Sequence, residues 1–370
     1  MDFKLTDDQQ AFQQTARDFA KSELPEAAQI CETEASPPTH ELIRKYGEMG
    51  FLGINVPEEY GGLGLGNIDA LIVLEEFAKI SSAIAFPVFE SCVGPVKAIE
   101  HFAEESLKKR VIPEVCSGDM IVAVAMSEPD AGSALTDLKT KGRVTNDKVI
   151  LNGLKRWCSG GGHADGYVVY CRLSDDPGAK GIGAVFVEKD APGISFGQQE
   201  SLMGFRGVPS CDIFLDDAEV PLENIIVPAG GFKKLMEAFD LERCGNATMA
   251  LGQASGALEE VMTYVQDRKQ FGKPIVDFQA VQIRLAEMQM RVEAARLLIH
   301  RAASNAEDNL PSILDSSVAK CFANEIAREV TSNAVQMMGP MDIRRILIWN
   351  VGCVTHGAGE LLEVLLIFRR

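Results

Sequence analysis

Two tryptophans and five histidines in 370 residues, with 36 basic against 53 acidic side chains, leave this chain short of the groups that grip nucleic acid or metal. The net charge of −17 argues against nucleic acid, whose phosphates need clustered Lys and Arg, so no nucleic-acid partner is expected. The histidines, at 40, 101, 163, 300 and 356, never stand at ligand spacing from another His or a Cys, so no metal site is expected. The nine cysteines form no CxxC pair, and an odd, unpatterned set fits reduced thiols and a cytoplasmic setting. Apolar runs such as AVFVE and VLLIF fall far short of the ~20 residues that span a bilayer, so no membrane insertion is expected. The start, MDFKLTDDQQ, lacks the basic and then apolar pattern of a secretory signal.

What is present divides into three. Residues 1–118 carry a helical period: Thr6 is placed to cap LTDDQQAFQQTARDFAKSEL, and HELIRKYGEMGFLGI and NIDALIVLEEFAKI follow on either side of a glycine-rich connection. That connection, VPEEYGGLGLG, lacks the strand and the GK[ST] ending of a phosphate loop. Residues 119–228 turn to short runs rich in Val, Ile and Phe (MIVAVAM, KVILNG, DGYVVYCRL, GIGAVFVE, CDIFLDD) with no helices between them, which predicts an antiparallel β-barrel or sandwich. Residues 229–370 return to long helical segments that predict a four-helix bundle. The fold class is therefore mainly α with a central all-β domain.

Within the last segment FDLERCGNA places Glu242 and Arg243 at the head of a stretch crowded with Gly245, Ala247, Ala250, Gly252, Ala254, Gly256 and Ala257. Residues this small let a backbone or a flat ligand come close, and a carboxylate held against such a surface gains proton affinity as it loses water. Read alone, the pair is more often a solvated helix-end feature than a catalytic one.

Three motifs give the stretch a context. AMSEPDAGSALTD (125–137), LKRWCSGGG (154–162) and DRKQFGKPIVDFQAVQ (267–282), in the order helices, β unit, helices, resemble the acyl-CoA dehydrogenases over nearly the whole chain. The resemblance implies FAD as cofactor, with Met126, Ser127 and Ser133 of the first motif and Trp157 and Ser159 of the second beside the flavin and substrate. In the third it implies that Arg268, Phe271 and Gln279 reach the FAD of a neighbouring subunit, joined by Gln336 and Gly339 of QMMG, in a homo-oligomer that is most often a tetramer. Ala134 departs from the family's usual Asp after Gly-Ser.

The implied reaction is α,β-dehydrogenation of an acyl-CoA, with an electron-transfer flavoprotein as electron acceptor. Many relatives draw their base from a late Glu-Gly-Thr motif, where this chain has His356, Ala358 and Glu360, and the glycine-rich turn expected after Gly339 is replaced by PMDIRR. Others, like isovaleryl-CoA dehydrogenase, carry the base in an earlier Asp-Leu-Glu-Arg stretch, and Asp240 to Arg243 has that sequence. Glu242 is then the expected base, His356 the competing one, and Asp240 and Arg243 are expected to support the base or the CoA moiety. Where the similar sulfinopropionyl-CoA desulfinase uses an Arg, Phe86 stands, so an apolar pocket for a short to medium acyl chain is expected. The alternatives are different flavin chemistry on the same fold (oxidase, reductase or desulfinase) and a non-catalytic acyl-CoA-binding helical assembly protein.

Overall fold

A computed structural model describes residues 3–306 and 310–339. Helix α1 (Asp7–Glu34) starts at a capping box in which the Thr6 hydroxyl accepts from the Gln9 amide while the Gln9 side chain accepts from the Thr6 amide. Five more helices complete the first layer: α2 (His40–Glu48), α3 (Asn67–Ala78), α4 (Ser82–Cys92), α5 (Val96–Phe102) and α6 (Glu105–Ser117). Helix α3 is buried on nearly every side, so its acids need partners. Glu76 accepts from Arg17, and Glu75 accepts from Arg296 of the C-terminal helices at 2.7 Å, which pins the two helical layers together. The stretch Ser82–Phe102 is long and apolar enough to consider as a membrane span, yet 94% of its 18-residue apolar window is buried inside the protein, as in the core helix of a packed domain.

The central strands are β1 (Val122–Ala125), β2 (Lys141–Val144), β3 (Lys148–Ser159), β4 (Gly166–Arg172), β5 (Ile182–Glu188), β6 (Ile194–Phe196), β7 (Ser210–Pro221) and β8 (Ile225–Val227). They form one sheet in the order β6-β7-β3-β2-β4-β5-β8, with β1 added beside β4. Most pairs are antiparallel, as the punctuation predicts. Strand β1 is the correction: it runs parallel to β4, from Val122 opposite Gly166 to Ala125 opposite Val169, and β2 meets β4 in parallel at Lys141 and Arg172. The reason is topological, because β1 reaches β4 only through the long excursion of β2 and β3 and not through a hairpin. Strand β4 and strand β5 are apolar along nearly their whole length and are buried on both faces.

The chain then enters α7 (Phe232–Asp267), turns through the two-stranded ribbon β9 (Lys269–Gln270) and β10 (Lys273–Pro274), and continues in α8 (Gln279–Ser304) and α9 (Ile313–Met338). The fourth helix expected for this bundle, and with it His356, Ala358 and Glu360, lies outside the described residues. The small residues of α7 do what their size allows. A Cβ on Gly245 would meet Val93 Cγ2 at 2.3 Å, and one on Gly252 would meet the Ala78 Cβ at 2.5 Å, so α7 lies directly on α3 and on the end of α4.

Candidate active site

Three elements close on a cavity of about 170 Å³. Helix α7 contributes Glu242, Asn246 and Met249, which recur at the spacing of one helical face. Helix α4 contributes Phe86, Phe89 and Glu90, and the β domain contributes Val124, Ser159 and Phe205. The wall is aromatic: Phe86 and Phe89 stack with centroids 5.4 Å apart, and Phe205 meets Phe86 edge-on at 5.3 Å. Glu242 and Ser159 thus border one cavity from opposite domains.

Glu242 does not stand at the start of its helix. FDLERCGNA begins seven residues after Phe232, so its carboxylate answers to tertiary packing and not to the helix end. Its neighbour Arg243 bonds one turn back, to Asp240, and rests 4.8 Å over the Phe239 ring. Asp240 also accepts from the Ser316 hydroxyl of α9 at 3.1 Å. Both members are buried, and burial raises the proton affinity of Asp240 against the pull of Arg243 and Ser316.

The first two motifs lie side by side. The Arg156 amide donates to the Ser127 carbonyl at 2.9 Å, the Cys158 thiol donates to Val124, and Lys155 Nζ donates to the Met126 carbonyl at 3.0 Å. The register of β3 on β7 shifts between Lys155 and Cys158, and in that bulge Trp157 takes φ 53 and stands 66% exposed. An indole held outward in a strained backbone, flanked by Ser127 and Ser159, is a surface shaped for a flat aromatic partner, which fits an isoalloxazine ring. Ser133 follows on the same loop and is half-buried.

Two residues that hold this surface carried no separate signal in the sequence. Lys155 is wholly buried and bonds Glu128 at 2.9 Å, and Glu128 also accepts from the amides of Lys139 and Thr140. Burial pushes Glu128 up, but the Lys155 charge and these hydrogen bonds outweigh it and hold the carboxyl below its ordinary range. Glu90 is the third omission. Its only sequence signal was a lone acid in the apolar run AIAFPVFES. Burial, reinforced by Glu242, pushes it well above the carboxylate range.

The remaining expected residues lie elsewhere. Arg268 follows Glu242 by 26 residues of α7 and its cap, about 39 Å of helix, and is exposed. Phe271, with φ 51 and 85% exposed, sits in the turn between β9 and β10, and Gln279 opens α8. Arg284 of α8 donates to Asn333 of α9, so Gln336 and Gly339 belong to that same end of the antiparallel helices. The ten expected cofactor residues therefore fall into two groups, five on the two β-domain motifs, of which Ser159 lines the cavity, and five at the far end of the bundle.

Comparison with known proteins gives this arrangement its family. The acyl-CoA dehydrogenase N-terminal, middle and C-terminal domain families match residues 6–119, 123–218 and 229–346. A probable acyl-CoA dehydrogenase, fadE25, of Mycobacterium leprae is 38% identical over 340 residues, covering 91% of this chain and 87% of the relative. A 3-sulfinopropanoyl-CoA desulfinase of Cupriavidus necator is 38% identical over 345 residues, covering 91% and 86%. Among solved structures, butyryl-CoA dehydrogenase of Megasphaera elsdenii superposes with a TM-score of 0.91 at 30% identity, over 99% of this chain and 98% of that one. FAD is the cofactor of this group of flavin-dependent enzymes. The chain belongs to the acyl-CoA dehydrogenase family.

Proposed function

We propose that this protein dehydrogenates a neutral acyl-CoA of short to medium chain at Cα and Cβ, with Glu242 as the base. One observation carries the reading: Glu242 and Ser159 border the same aromatic cavity from opposite domains, with Trp157 two residues from Ser159. FAD, when bound beside Trp157, Ser127, Ser133, Met126 and Ser159, supplies the two-electron acceptor for the β hydrogen. Glu242 then faces the substrate from α7, opposite that wall, and receives the α proton as the thioester carbonyl is polarised by hydrogen-bond donors. The mutual bonding and burial of Asp240 and Arg243 favour bracing of the base over direct contact with CoA.

The lining of the cavity favours a neutral acyl group. Its titratable groups are Glu90 and Glu242, and neither Lys nor Arg lines it, so a sulfinate or a second carboxylate would enter with no cation to receive it. This favours dehydrogenation over the desulfinase reading. The reading also assigns Arg268, Phe271, Gln279, Gln336 and Gly339 to the FAD of a neighbouring copy. It is supported by the exposed Ile283, Met290 and Leu297 of α8, which repeat every seven residues as a ready helix–helix seam. An electron-transfer flavoprotein is the proposed acceptor. Faster reoxidation by it than by oxygen supports this, and the reverse points to an oxidase.

The test is Glu242→Gln. Removing a general base costs about 10²- to 10⁴-fold, so anaerobic bleaching of the flavin by acyl-CoA should be lost while the yellow flavin spectrum is retained. Bleaching at the wild-type rate would overturn the assignment.

A further inference from the structure

The cavity holds a second carboxyl group that the reaction as described does not use. Glu90 is 7% exposed, and among the described residues no hydrogen bond or cation partners it. Phe86, Phe89 and Phe205 line the cavity with it, and neither Lys nor Arg does. Burial, and then the charge of Glu242, favours its neutral acid form. A carboxyl left without a partner among aromatic rings costs stability, and Leu would pack there without that cost. Such a group points to a partner that arrives with the ligand.

The position of Glu90 says which part of a substrate it meets. Phe86 and Glu90 line the catalytic cavity and also a space of about 20 Å³ behind it, whereas Glu242, Asn246 and Met249 line the cavity alone. A Cβ on Gly160, which lines that rear space, would stand 3.6 Å from Glu90 Oε1. The rear space is walled mainly by apolar side chains, among them Ile43, Ala83, Ile121 and Val208, and is too small to take an acyl chain onward. The cavity therefore has a reacting side at α7 and a closed end at α4. An acyl chain whose Cα lies at Glu242 runs from there towards Phe86 and Glu90.

A neutral carboxyl offers one O–H donor and one carbonyl acceptor, and a hydroxyl returns the same pair. A plain alkyl end would leave both unmet. We propose that the substrate's acyl chain carries a hydroxyl at or near its end and that Glu90 selects it, an inference that rests on the reading of Glu242 as base. C2 and C3 are the carbons that react, so the hydroxyl belongs on C4 or beyond. The selection has a physical reason to be sharp. A purely apolar pocket discriminates weakly against an added hydroxyl, whereas a site built to bond one rejects the analogue that lacks it, because its own buried group is then left unpaired. The hydroxyl takes no part in the bond changes and serves only to hold the chain.

The deciding comparison uses the unaltered, FAD-loaded protein. Without oxygen, it is mixed with butyryl-, pentanoyl- or hexanoyl-CoA, or with the counterpart hydroxylated on the last carbon, and flavin bleaching is followed against concentration. At one chain length or more, the hydroxylated substrate should bleach the flavin with a second-order rate at least tenfold higher. Plain chains that react as fast or faster at every length overturn the proposal. So does 6-aminohexanoyl-CoA outpacing 6-hydroxyhexanoyl-CoA, because Glu90 would then act as a charge. Glu90→Leu should reverse the preference, slowing the hydroxylated chain and speeding the plain one. Glu90→Gln, which keeps a donor and an acceptor, should keep part of the preference. A merely structural role predicts that Glu90→Leu changes both substrates by the same factor, and that result also overturns selection. If the Leu variant fails to fold, the wild-type comparison decides alone. Failure of Glu242 as base shows separately, as bleaching by every acyl-CoA that survives Glu242→Gln, whatever the preference between chains.

Discussion

The two ends of α7 face different surroundings. Around Glu242 the helix is enclosed: Leu241, Cys244 and Ala247 are 0% exposed, Asp240 and Arg243 are bonded to each other, and Glu242 meets a cavity walled by the same chain. About 39 Å along, the ribbon after α7 holds out Arg268 and an 85% exposed Phe271 whose backbone is strained. Trp157 shows the same two features, a positive φ and an exposed ring, but on the β domain of its own chain. The inner end can be argued from one chain, whereas under the proposed function the outer end is half of a site shared with a second copy.

The largest expected effect breaks the comparison at its outer end. Met290→Asp removes a 64% exposed apolar side chain from the α8 stripe and puts a charge in its place. Burying a methionine is worth about 1.5–3 kcal/mol, and a two-fold interface counts it twice, so association should weaken about a hundredfold or more. Sedimentation should show smaller species, and the flavin should be lost with the assembly. A monomer that keeps its FAD would show the outer residues to be ordinary surface. The next effect is at the inner end. Lys155→Met leaves Glu128 buried without its cation, which costs about 3–5 kcal/mol. Thermal melting should drop, and amide exchange should rise first at Arg156, whose N–H bonds Ser127. Unchanged melting would mean that the amides of Lys139 and Thr140 alone hold Glu128.

Much of this was legible in the sequence, and the parts that were not have physical reasons. The helical and β segments follow from period and punctuation, and the row of Gly and Ala in α7 announces the close approach that Gly245 and Gly252 make to α4 and α3. The direction of β1 was not legible, because alternation of side chains is the same in parallel and antiparallel strands. Pairing Glu242 with Arg243 was natural from adjacency, but successive helix residues point about 100° apart and Arg243 meets Asp240 three positions back. Lys155 and Glu128 stood inside quoted motifs, yet only the crossing of β3 with the loop after β1 brings them together. Glu90 was the hardest, since one acid in an apolar run has no pattern and its meaning depends on what α7 and β3 place around it.

The smallest effect sharpens the inner end. Glu90 has an ordinary value of 4.5 when the chain is unfolded and a raised one when folded, because burial and then Glu242 disfavour its charge. Above 4.5 the folded state therefore binds more protons than the unfolded state, and stability from this group falls as pH rises towards the folded value. Gln fills the same space without titrating. The melting temperatures of wild type and Glu90→Gln should thus lie closest near pH 4 and diverge as pH rises, the variant melting higher. Because Glu90 and Glu242 interact, the steps in that difference belong to the pair, and the double variant with Glu242→Gln should shift them to lower pH. A constant difference across the range would mean that Glu90 finds in the folded protein an environment as favourable to its charge as water, and the unpartnered acid at the closed end of the cavity would need another account.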